Sequence, residues 1–102
     1  MYRNQNALRI RFDKPGFFIN DPRVEVDFDG VRIYEGSFMS GFDRTVTTSA
    51  GHHELVTRIT VGPVMRPKRW TFELDEAPRF TITLRYSRFW GNFTRKLDLT
   101  RA

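Results

Sequence analysis

Apolar and polar residues alternate with a period of two in short runs along most of this chain, and no helical period competes with them. The runs are Leu8, Ile10, Phe12; Val24, Val26, Phe28; Trp70, Phe72, Leu74; and Phe80, Ile82, Leu84, Tyr86, with Arg, Lys, Glu, Asp and Thr in most positions between. Successive side chains of a strand point to opposite faces, so each run predicts a strand with one face buried and the other wet. A chain of 102 residues is too short to divide into two cores that each bury enough surface, so residues 1–102 are expected to form a single domain. Seven or eight short strands joined by tight turns predict an all-β, two-layer antiparallel β-sandwich, with a small β-barrel as the alternative that the same alternation permits.

The turns carry their own signals. Asp29-Gly30 lies between Val24–Phe28 and Val31–Tyr34, and a type I′ hairpin turn needs the positive φ that Asp and Gly accept. A two-residue turn there pairs Phe28 with Val31 and Val26 with Ile33, all four on one face. Residues 13–22 read as a connection whose Phe17, Phe18 and Ile19 dip into the core. A weakly apolar strand is expected over Phe42 to Thr48, Ser49-Ala50-Gly51 turns the chain, and a second hairpin follows. The next strand places His53, Leu55, Thr57, Ile59 and Val61 on one face, and His52, Glu54, Val56 and Arg58 on the other. Gly62 to Pro67 reads as a loop because glycine and proline interrupt the alternation. A final strand runs from Asn92 to Thr100, with Phe93, Leu97 and Leu99 inward.

Asp29-Gly30, followed about twenty residues later by Gly51-His52-His53-Glu54-Leu55, resembles the PEGA-type β-sandwich domain, whose aspartate-glycine hairpin precedes a Gly-x-His-x-Leu strand. The resemblance covers residues 24–60. It implies an immunoglobulin-like or PEGA-like sandwich serving as a small non-catalytic binding or spacer appendage, of the kind carried by bacterial envelope proteins.

Two clusters invite a search for chemistry and supply little. His52 and His53 are neighbours on a strand and face opposite ways, so they cannot share one ion without a bulge; His52 and Glu54 share a face, but two ligands do not make a site. The reading favoured here has His53 in or near the core with its ring satisfied by backbone, and His52 exposed. Glu25, Asp27 and Asp29 read as solvated carboxylates beside Arg23 and Arg32, with no cleft to separate their acidities. No phosphate loop, nucleophile elbow or Ser/His/Asp set is evident. The expectation is therefore no enzyme, no cofactor and no metal. There is no cysteine, and no apolar run approaches the roughly 20 residues that span a bilayer. The cytoplasm is the default location, with envelope association if the chain belongs to a larger exported protein.

Charge is uneven. The chain carries a formal net charge of +5. Residues 1–57 hold 7 basic and 8 acidic side chains, whereas residues 58–102 hold 10 basic and 4 acidic ones. In the second half, basic and aromatic residues interleave, and Arg66, Lys68, Arg69, Arg88, Phe89, Trp90, Arg95 and Lys96 form the candidate binding surface. Trp70 and Tyr86 fall in phase with core positions, whereas adjacent Phe89 and Trp90 are expected to place one ring inside and one outside. The leading expectation is a protein-binding, accessory or spacer module, whose partner is another protein or a second copy joined by edge-strand pairing. The alternative is an anionic ligand such as single-stranded nucleic acid, gripped by cations and stacked rings. Carbohydrate binding ranks third.

Overall fold

A computed structural model describes residues 5–16 and 20–101 of the chain. Its strands are β1 (Gln5–Phe12), β2 (Arg23–Phe28), β3 (Val31–Ser37), β4 (Phe42–Ser49), β5 (Gly51–Val61), β6 (Val64–Leu74), β7 (Arg79–Thr83), β8 (Tyr86–Ser87), β9 (Asn92–Phe93) and β10 (Asp98–Arg101). One sheet has the order β10-β7-β1-β4 and the other β3-β2-β5-β6, while β8 and β9 pair as a separate short hairpin. The two larger sheets pack as a β-sandwich, not a closed barrel. Every pairing is antiparallel except β1 with β7, which run parallel.

The alternation places the core as expected. Leu8, Ile10, Phe12, Phe80 and Ile82 from one sheet meet Val24, Val26, Phe28, Leu55, Ile59, Trp70 and Leu74 from the other, and all are buried. Phe38 and Phe93 add two fully enclosed rings outside the eight main strands' central registers. Phe93 lies edge-on to Phe12 at 5.1 Å and to Tyr86 at 6.2 Å between ring centroids, a geometry aromatic pairs favour. These contacts fasten the β8–β9 hairpin to the sandwich. Phe17, Phe18 and Ile19, expected in the core, lie outside the described residues.

Four local expectations need correction. First, the Asp29-Gly30 turn forms, with φ of 49° and 81°. Phe28 pairs with Val31, but a bulge then shifts the register so that Val26 faces Tyr34 and not Ile33. An extra residue in one strand swings the side chains beyond it by one position; Val31, on the turn side of the bulge and still opposite Phe28, is 64% exposed. Second, Ser49–Gly51 does not close a hairpin: β4 belongs to one sheet and β5 to the other, so this turn crosses the sandwich. Third, Gly62-Pro63 alone is the turn, and β5 and β6 pair over their whole length from Val61–Val64 to Gly51–Leu74. Pro67 is tolerated because β6 is an edge strand, where one row of amides needs no ladder partner. Fourth, the last run breaks into β9 and β10.

The β5–β6 hairpin is long. Its two 11-residue strands extend about 36 Å at the usual strand rise, and Val61, Val64 and Met65 at its turn are exposed. The sandwich therefore ends in a projecting ribbon, and the β8–β9 hairpin packs beside it.

Candidate binding groove

Strand geometry sorts the basic cluster of β6 into two faces. Val64, Arg66, Lys68, Trp70, Phe72 and Leu74 alternate on one side, the side that turns inward where the sandwich begins, and Arg69 lies on the other. Arg69 is thereby removed from the candidate surface. Its guanidinium reaches Glu54 at 3.3 Å on the outer face. That face is a charge lattice in which Arg32 contacts Glu25, Asp27 and Glu35, and Arg58 reaches Asp27 at 2.9 Å. The hydrogen bond from Arg32, helped by Arg58, holds the Asp27 carboxyl below its ordinary pKa. Arg23 does the same for Glu35.

On the inward side, β9 runs along β6. Asn92 Nδ2 donates to the Pro67 carbonyl at 3.0 Å, and one residue back, a side chain at Gly91 would meet Arg66 Nε at 3.4 Å. Gly91 has φ of 68°, a conformation that favours glycine and lets the hairpin turn tightly against Arg66. Between the ribbon and the hairpin lies a groove of about 530 Å³, lined by Lys68, Ser87, Trp90, Asn92, Phe93, Thr94 and Arg95. Trp70, buried in the core, donates its indole N–H to the Arg95 carbonyl at 2.9 Å and so fixes the groove's far wall.

Phe89 and Trp90 depart from the expectation that one ring is buried. Both are exposed, 84% and 71%, and they contact each other edge-to-face at 4.8 Å between centroids. The reason is that residues 88–91 form the turn between β8 and β9 and are not extended; the strict two-faced alternation does not apply to a turn. Among the described residues, the groove lining contains no carboxylate. Among the described residues, neither Arg66, Lys68 nor Arg95 is in an ion pair. The structure thus brings Lys68, Trp90 and Arg95 together, with Arg66 and Phe89 beside them. It sends Arg88 to the Pro15 carbonyl at 3.2 Å and Lys96 to a neighbouring depression shared with Arg85 and Asp98. Ser87, Asn92 and Thr94, which complete the polar lining, are residues that sequence reasoning missed: nothing in their spacing distinguishes a groove wall from an ordinary hairpin.

The histidine pair is divided as the strand demands. His52 is exposed and lies 2.8 Å from Glu73 across the ladder, not against Glu54. His53 is buried, with Nδ1 2.6 Å from Asp29 Oδ2 and Nε2 2.7 Å from the Ser49 carbonyl oxygen. Asp29 Oδ1 also accepts the Glu54 backbone N–H at 2.8 Å. Asp29 is therefore not a solvated strand-face carboxylate but a latch that binds the β2–β3 turn to β5.

No family model, curated protein or solved structure matches this chain.

Proposed function

We propose that this chain is a non-catalytic binding module that takes an anionic partner at the end where the β5–β6 ribbon and the β8–β9 hairpin meet. The observation that carries this reading is the convergence of an exposed Trp90 with Lys68 and Arg95 in one groove whose described lining holds no carboxylate. Cations left without internal partners keep their attraction for an external anion, and an exposed indole adds apolar and stacking contact. The resemblance of residues 24–60 to PEGA-type domains supports the same class of role. The test is equilibrium binding of two anionic probes, phosphatidylserine vesicles and a mixed-sequence single-stranded oligonucleotide, at low and high salt. At least one is expected to bind, with affinity falling steeply as salt screens the charges. Failure of both at low salt would remove the proposal.

A second reading, pairing with another copy of the chain, has its own observation. Three sheet edges carry blocking features: Pro67, Lys68 and Arg69 on β6, a bulge with Arg32 and Glu35 on β3, and only four residues in β10. β4 has none of these from Thr45 to Ser49, where it pairs with β1 in unbroken register and, among the described residues, has no ladder partner on its other edge. Light scattering is expected to give twice the 12.1 kDa chain mass; a single-chain mass at high concentration contradicts this reading.

A further inference from the structure

Six large apolar side chains are exposed among the described residues, and five of them, Val61, Val64, Met65, Phe89 and Trp90, sit on the two hairpins that meet at the groove. The hairpins project the same way. Asn92 lies against Pro67 and Gly91 against Arg66, so moving along β9 toward Trp90 and Phe89 is also moving along β6 toward Met65 and the ribbon's turn. Residues 61–65 carry no charge, whereas Arg66 and Lys68 follow directly behind them on the same face as Val64. This end of the molecule is therefore layered, with apolar tips outermost and unpaired cations one step behind.

We infer that this end docks on an anionic lipid surface, with the two tips entering the headgroup region and Arg66, Lys68 and Arg95 meeting the lipid phosphates. The inference rests on the anionic-partner reading above and names its partner. Clustered exposed apolar residues mark an interaction site, tryptophan settles at the membrane–water boundary, and basic residues close to the surface are drawn to anionic headgroups. A nucleic-acid strand would use the cations and the rings, but it has no use for Val61, Val64 and Met65. The aliphatic tip decides between them.

The experiment is cosedimentation of the full chain with vesicles of phosphatidylcholine alone and of phosphatidylcholine with phosphatidylserine, alongside the oligonucleotide titration. Binding to the phosphatidylserine vesicles is expected, with Trp90 emission shifting to the blue. The double variants Val64→Ser/Met65→Ser and Phe89→Ser/Trp90→Ser are each expected to weaken it roughly tenfold or more. These residues are exposed, and a thermal melt of each variant verifies that the fold is intact. Oligonucleotide binding without vesicle binding would overturn the membrane inference and leave the anionic-partner reading standing; no binding to either probe would overturn both. Vesicle binding unchanged by Val64→Ser/Met65→Ser would also overturn the inference, since the ribbon tip would then not be at the membrane.

Discussion

Phe93→Ala is expected to lower the unfolding free energy by about 3–5 kcal/mol and to abolish binding at the groove along with it. Phe93 is almost wholly buried and touches Phe12, Phe38, Trp70 and Tyr86, so its ring joins the body of the sandwich to the β8–β9 pair, which lies outside the two large sheets. Two paired residues on each side cannot hold a hairpin in place by backbone hydrogen bonds alone. Removing the ring leaves a cavity and frees the segment that presents Phe89 and Trp90. Urea denaturation measures the stability loss. A loss below about 1 kcal/mol would mean that Phe93 is not the anchor described here.

Asp29→Ala is expected to cost about 3 kcal/mol, because it removes the acceptor of the Glu54 amide and of buried His53 and places a Cβ-bearing residue without local hydrogen bonding at φ of 49°. Two companions separate these causes. Asp29→Gly restores the backbone freedom but not the acceptor, so it should recover about 1 kcal/mol of the loss. Asp29→Asn keeps one oxygen for Glu54 and tolerates the left-handed conformation, so its cost should be the smallest of the three. Equal melting temperatures for all three variants would contradict the latch and reduce Asp29 to an ordinary turn residue.

The contrast between Asp29 and Trp70 indicates what the alternation of residues can convey. Trp70, Phe72 and Leu74 repeat the period of a strand, and burial follows from that period whichever strand lies alongside. The Asp29–His53 contact joins residues 24 positions apart through sheet pairing, which local pattern does not specify. The parallel β1–β7 pair was hidden for the same reason, as was the transfer of the chain between sheets at Ser49–Gly51. Pro67 misled for a different reason: proline disqualifies a central strand but not an edge strand, and edge position is a property of the assembled sheet.

The same limits apply to the groove. Arg66, Lys68 and Arg69 are one basic run in sequence, yet strand geometry, once β6 is known to be a strand, divides them between two faces. Trp90 and Arg95 join Lys68 because two hydrogen bonds tie the hairpin segment to β6: Asn92 donates to the Pro67 carbonyl, and Trp70 donates to the Arg95 carbonyl. Composition indicated a basic second half. The contact between β6 and β9 decides which of its cations converge.

The most direct measurement is salt-dependent binding to phosphatidylserine vesicles and to the oligonucleotide by two triple variants of equal charge. Arg66→Gln/Lys68→Gln/Arg95→Gln removes the cations of the groove end, and Lys14→Gln/Arg44→Gln/Arg79→Gln removes the same three charges elsewhere from a chain of net charge +5. A partner held at the groove requires the first triple to lose binding by a large factor and the second to bind nearly as the parent chain does. Equal losses in the two triples would contradict the account, since attraction would then follow net charge and not the place where Lys68, Trp90 and Arg95 meet.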